Sequence, residues 1–188
     1  MSYKLKVQGI REAEKFLKDE IKKIKVKIKK ISEEKYELDL GKIVINFSLE
    51  ENNLDAFINQ LPKQLKQAHD QTLDEIALQL QEALDMSIQS PVWDWQGDTR
   101  DIVDTGKLKD SLVVSVANGD ISISYGEDYA AIVHYGGYFN PYGNPEVKQY
   151  YPGRPWIDSV LYGQGPVDQF DFKKEYDLIF AQKIANLI

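Results

Sequence analysis

Leu112-Val113-Val114-Ser115-Val116-Ala117-Asn118-Gly119-Asp120-Ile121-Ser122-Ile123-Ser124-Tyr125 is the stretch on which the fold turns. Two β-rich runs, Leu112–Ala117 and Ile121–Tyr125, flank Asn118-Gly119. The second run alternates apolar and small polar residues, the period of a half-buried strand. Asn-Gly accepts the left-handed backbone of a tight hairpin turn, so the two runs pair antiparallel. Upstream, Leu65, Leu73, Ile76, Ala77, Leu80, Leu84 and Ile88 recur at helical spacing. Pro62 suits the first turn of this helix and Pro91 stops it after about Gln89. At 1.5 Å per residue such a spine is roughly 40 Å long. A separate short helix capped by Asn53, with Leu54, Phe57 and Ile58, is expected before it. The expected fold is therefore α+β: a long spine helix packed on a small, mainly antiparallel sheet.

The flanks add an N-terminal helix/strand extension and a C-terminal helix. Tyr3 to Val7 reads as a strand, and Ile10 to Ile21 as a helix. Ile24, Val26 and Ile28 fit either a helix or a strand. We take the helix to about Lys23 and then a three-strand meander, its first two strands separated by Ser32–Lys35, with Gly41 turning the chain into Ile43–Leu49. A loop through Trp93, Trp95 and Gly97 follows the spine. Asp128 is expected to cap a short helix, Tyr129–Tyr135, closed by Gly136-Gly137. Residues 136–153 read as a Gly/Pro/Tyr-rich loop, Pro155 opens a helix through Leu161, and Asp168–Ile188 forms an amphipathic helix. The expected division is 1–42 as a basic extension, 43–162 as the core, and 163–188 as the C-terminal helix.

Composition narrows the function. The 188 residues contain no cysteine, which removes thiolate chemistry, Cys-ligated metals and disulfides. Only two histidines, His69 and His134, are present, too few for a His-rich metal site. No apolar run reaches the length of a membrane span, and the N-terminus lacks the pattern of a signal peptide, so a soluble cytosolic product without membrane contact is expected. The net charge of −7 conceals an asymmetry: residues 1–30 carry 11 basic and 4 acidic side chains, residues 31–188 carry 12 and 26. That split suits an arm for an acidic partner, a basic end docking on a neighbouring subunit's acidic body, or a solvated lysine face.

Motifs of catalysis are missing: no phosphate-cradling glycine loop, no G-x-S-x-G elbow, no H-E-x-x-H pair. Ser111, His134 and an acid make a triad only on paper. His134, in an apolar turn, reads as a packed or hydrogen-bonded imidazole, and His69 as a surface or edge residue. Asp98, Asp101 and Asp104 lack the glycine and distal glutamate of a calcium loop and read as turn caps. No catalytic, cofactor or metal residue is assigned.

Aromatic residues carry more information. Eight of the eleven tyrosines lie in residues 125–162. With few bases nearby, they suit protein contact better than nucleic-acid stacking. Tyr138, Tyr142, Tyr150 and Tyr151 are the candidate interface residues, the alternative being a loop folded on its own tyrosines.

Asp104-Thr105-Gly106-Lys107-Leu108-Lys109-Asp110-Ser111-Leu112 resembles the "TG-basic-Leu-basic-x-Ser" signature of bacteriophage minor tail and tail-completion proteins, including the lambdoid tail-component and virion-morphogenesis families. The hairpin follows, then Tyr129-Ala130-Ala131-Ile132-Val133-His134-Tyr135-Gly136, similar to "Tyr-Ala-x-x-x-x-aromatic-Gly", and Gly153-Arg154-Pro155-Trp156-Ile157, similar to "Arg-Pro-aromatic-aliphatic". The helix opening at Leu61-Pro62-Lys63 also resembles the family pattern. The match covers about residues 43–162; residues 1–42, the long loop and the last helix depart from it.

The resemblance implies a structural virion protein, not an enzyme, made in the bacterial cytoplasm. It implies a sixfold homo-oligomeric ring at the head–tail junction, flanked by neck, connector and tail proteins, through which double-stranded DNA passes. A tail terminator or head-closure adaptor is the nearest alternative; a nucleic-acid-binding module or small hydrolase stands outside the class. The motif residues carry plain structural roles in this reading. Gly106 supplies a turn, Ser111 a local hydroxyl, Ala130 and Gly136 close packing, and Arg154 a polar contact before Pro155 and Trp156 start a helix.

Overall fold

The computed structural model describes residues 2–5, 28–39, 44–50, 53–95, 97–140 and 146–187. In these, β1 spans Ser2–Leu5, β2 Ile28–Ser32, β3 Lys35–Asp39, β4 Val44–Ser48 and α1 Leu54–Gln89. Next come β5 (Trp93–Trp95), β6 (Asp98–Arg100), α2 (Lys107–Asp110), β7 (Leu112–Ala117), β8 (Asp120–Tyr125) and α3 (Ala130–Tyr135). Then follow β9 (Gly137–Phe139), β10 (Gln149–Tyr151), α4 (Trp156–Tyr162) and α5 (Phe172–Leu187). The class is mixed α+β, a long helix with small antiparallel sheets and a C-terminal helix. The expected helix over 10–23, the strand residues 24–27 and the Gly41 turn lie outside the described residues.

The chain forms two compact units. One comprises Met1–Leu5, Ala77–Ala117 and Ile121–Asp171; the other Lys6–Ile76, Asn118–Asp120 and Phe172–Ile188. The helix α1 gives its beginning to the second and its end to the first. Strand pairing links described parts of residues 1–42 to later segments. β1 pairs antiparallel with β8, and β3 pairs with β4 across the expected boundary.

In the second unit, β2, β3 and β4 form the expected meander, but its first turn is tighter than expected. Ile31 and Ser32 belong to β2, and the chain reverses at Glu33-Glu34, with Glu34 at φ 57. Alternation along β3 buries Tyr36 and Leu38 and leaves Lys35 exposed. Tyr36 stacks on Phe47 at 5.6 Å, and Phe47 meets Phe57 of α1 at 4.7 Å. Leu61, Leu65, Ala68, Thr72, Leu73 and Ile76 are buried along α1, and Tyr176, Ile179, Phe180 and Ile184 along α5. Two corrections arise here. His69 is buried, not a surface residue, because its Nδ1 lies 2.8 Å from the Tyr176 hydroxyl, a partner 107 residues away. The amphipathic C-terminal helix starts at Phe172, four residues after Asp168.

The helix α1 also differs from expectation at its start. It is one continuous helix of 36 residues, about 54 Å at the standard rise, with Pro62 inside it instead of opening it. Pro62 has no N–H for the Ile58 carbonyl, a cost of about 3 kcal/mol in a helix interior. Its neighbours Leu61 and Leu65 are fully buried, and their burial offsets that cost.

In the first unit the order β1–β8–β7 forms an antiparallel sheet. Asn118 at φ 54 and Gly119 at φ 78 make the expected left-handed hairpin turn. β8 buries Ile121, Ile123 and Tyr125 on one face. The stretch after α1, expected to be a loop, is a second hairpin of β5 and β6 around Gly97. Trp93 buries its ring there and donates from Nε1 at 2.7 Å to the Ser87 carbonyl, which also accepts from Ser90 N at the end of α1.

Candidate functional site

Thr105-Gly106 turns the chain into α2 through a left-handed Gly106 (φ 81, ψ −17). Leu108 is buried, and Ser111 Oγ donates to the Leu108 carbonyl at 2.7 Å. The Ser111 carbonyl accepts from Gly126 N at 3.2 Å, tying the end of the hairpin to its beginning. Ser111 is thus a local cap, as its position at a strand entrance suggests.

Asp128 does not cap α3. The N-cap position is Tyr129, with no side-chain cap, and Ala130 is buried against the turn. The Tyr129 phenol is pushed above its ordinary pKa by burial and by the nearby Glu127 and Asp104 carboxylates, while a hydrogen bond with Thr105 opposes the shift. Tyr135 is exposed at the end of α3, and Gly136 stops the helix at φ 75 and ψ −179, a conformation essentially restricted to glycine.

Gly136 and Gly153 meet backbone to backbone. A Cβ on Gly136 would lie 2.5 Å from Gly153 N, and one on Gly153 would lie 2.6 Å from the Tyr135 carbonyl carbon. Arg154 N then donates to the Val133 carbonyl at 3.0 Å. The chain between these glycines, expected to be a loop, contains the two-stranded ribbon β9–β10. Tyr138 and Tyr150 face each other across it at 5.4 Å, and both are exposed. Tyr151 points elsewhere: it is half-buried, edge-on to Trp95 at 5.3 Å. Of the candidate interface tyrosines, then, Tyr138 and Tyr150 are presented outward, Tyr151 is part of an internal stack, and Tyr142 lies outside the described residues.

That stack is built on Arg154, which is 1% exposed. Its guanidinium lies 4.6 Å from the Trp95 ring centre and 5.0 Å from that of Tyr151. Nη1 donates to the Asp101 carbonyl at 3.4 Å, a polar contact of the kind expected of this residue. Arg100 also lies 4.6 Å from the Trp95 ring centre. Burial lowers the Arg154 pKa, an effect the Tyr151 phenol opposes and the like charge of Arg100 reinforces. Weakly hydrated, planar guanidinium suits such a site better than ammonium.

Beside the stack, Trp156 is fully buried, donating from Nε1 to the Tyr125 hydroxyl at 2.9 Å, the rings at 90°. His134 packs edge-on to Trp156 at 4.8 Å and places Nε2 3.4 Å from an Asp158 oxygen. It is the packed imidazole expected from its apolar turn. Burial lowers its pKa below 6.5, while Asp158 pulls the other way. The unfolded chain therefore binds the proton first as pH falls. Stability present above pH 6.5 is expected to decline as pH drops through the lowered value, and His134→Asn to remove that part of the slope. Denaturant titrations of both proteins between pH 7.5 and 5 check this; parallel profiles would contradict it.

Next to the motif turn lies a cleft of about 820 Å³. Its walls include Ile88, Ile102, Leu108, Val133, Trp95 and Tyr151, with Arg100, Lys107, Lys109 and Asp104 among them. Trp95 was read only as a loop residue and Arg100 not at all, although Trp93-Asp94-Trp95 alternating before Gly97 was the available strand signal. Asp98 Oδ1 accepts from Thr99 N at 2.8 Å, a turn-capping contact. Among the described residues no group of three His, Asp or Glu side chains is placed to hold a metal ion, and no helix is long and apolar enough to cross a membrane. Compared with protein-family models, curated proteins and solved structures, the chain matches none.

Proposed function

We propose that this chain is a structural virion protein of a bacteriophage neck, a subunit of a sixfold ring that completes the tail or joins it to the head. The observation that carries this reading is where the motifs fall. Three motifs in the family's order, at Asp104–Leu112, Tyr129–Gly136 and Gly153–Ile157, belong to one unit, together with the paired runs Leu112–Ala117 and Ile121–Tyr125 between them. Each supplies a turn, a close backbone approach or a core anchor, which is what a self-assembling scaffold needs. The exposed Tyr138–Tyr150 face offers the aromatic surface that protein interfaces favour.

The charge balance suits the same reading. DNA that must slide through a ring is best met by acidic walls, and residues 31–188 carry 26 acids against 12 bases. Electron microscopy of tailed particles carrying a labelled copy of this subunit tests the proposal. A ring of label at the head–tail junction is expected; label confined to the capsid shell or excluded from particles would overturn it. In the same reconstruction a bore lined by lysines would reverse the charge assignment and make residues 1–30 a DNA clamp.

A further inference from the structure

The exposed side of α1 carries a feature that packing among the described residues leaves without use. Asp74, Leu78, Glu82 and Met86 follow one another at four-residue intervals and are all exposed, Leu78 by 64% and Met86 by 67%. Side chains at this spacing form a continuous ridge along a helix, the kind that seats in a groove. Two large apolar side chains on such a ridge are costly in water, and two carboxylates alternate with them. The ridge is therefore apolar and acidic at once.

The cleft beside the motif turn has the opposite character. Its lining is largely apolar, Ile102 and Leu108 included, and carries three bases, Arg100, Lys107 and Lys109, against one acid, Asp104. These bases belong to a stretch of chain, 31–188, in which acids outnumber bases by 26 to 12. A concentration of positive charge on an apolar lining selects a partner that brings carboxylates together with apolar side chains. A nucleic-acid backbone would satisfy the bases but leave the apolar lining uncovered. The ridge of α1 meets both requirements.

We propose that the Asp74–Met86 ridge of one copy docks in the Arg100/Lys107 cleft of a second copy. The contact joins two different surfaces, so it repeats from subunit to subunit and closes into a ring when the rotation allows. It rests on the ring reading for that closure, while the pairwise contact stands on complementary charge and apolar surface. Leu78 and Met86 supply the apolar anchors, and Asp74 and Glu82 face the cleft bases. Lys109 has a second role, because its charge also acts on Asp85 of its own chain.

Charge reversal on the full chain tests this, read by sedimentation of the purified protein. Asp74→Lys with Glu82→Lys turns the ridge basic; Arg100→Glu with Lys107→Glu turns the cleft acidic. Each double variant alone is expected to associate at least tenfold more weakly than wild type. An equimolar mixture of the two is expected to regain assembly, since each reversed surface then finds its complement. Leu78→Ser with Met86→Ser, at exposed positions that leave the fold intact, is expected to weaken association by about tenfold or more. Circular dichroism confirms that each variant is folded. Wild-type chain that stays monomeric, or ridge variants that assemble as wild type does, would overturn the proposal. Rings in particles built from the ridge variants would overturn it while leaving the neck assignment intact.

Discussion

Trp156→Ala is expected to lower the unfolding free energy by about 3–5 kcal/mol. The residue is 0% exposed to solvent, lies edge-on to both Tyr125 and His134, and donates its indole N–H to the Tyr125 hydroxyl. Removing the ring leaves a cavity between α4, α3 and β8, and leaves the Tyr125 hydroxyl without its donor. Trp156→Phe separates the two contributions. It retains most of the packing and loses the hydrogen bond, so a cost nearer about 1–3 kcal/mol is expected. Urea titration followed by circular dichroism measures both. Equal losses for the two variants would show that the hydrogen bond, and not the packing, dominates.

Gly136→Ala is expected to be as damaging for a different reason. The added methyl would stand 2.5 Å from Gly153 N and 2.8 Å from the Tyr151 carbonyl oxygen, both backbone atoms that no side-chain rotation can move. The backbone conformation itself, φ 75 and ψ −179, adds strain for any residue with a Cβ. A loss above about 4 kcal/mol, or displacement of the ribbon and of Arg154 with it, is expected. Gly97→Ala is the control. Gly97 has a positive φ of 93 but nothing within 4 Å of its Cβ position, so only conformational strain of about 1–2 kcal/mol applies. Comparable thermal melting of the two variants would contradict the close approach. In wild type that approach holds the base of the ribbon, and the Tyr138–Tyr150 face depends on it.

The motif residues were legible to different depths. Gly106 and Ser111 act within a few residues of themselves, so their turn and cap could be read from the chain alone. Arg154 was legible as a polar group before a helix, yet its aromatic setting was not. Trp95 lies 59 residues from it, and Tyr151, three residues away, reaches it from a strand of the ribbon and not along a helix. The ribbon was hidden by composition: Gly, Pro and Tyr between 136 and 153 read as a loop, while the Gly136–Gly153 contact that brings its strands together is made across the segment.

What the sequence determined by itself were the structures whose cause is local. The Asn118-Gly119 hairpin follows from two residues able to adopt positive φ, and the buried stripe of α1 from a repeat near 3.6 residues. Tertiary structure alone decided the rest. It carried α1 through Pro62, because burial of Leu61 and Leu65 outweighs one missing hydrogen bond. It buried His69 by supplying the Tyr176 hydroxyl, and it drew Ser2–Leu5 to the edge of β8. Each outcome depends on a partner distant along the chain, and a periodicity read within one segment holds no record of that partner.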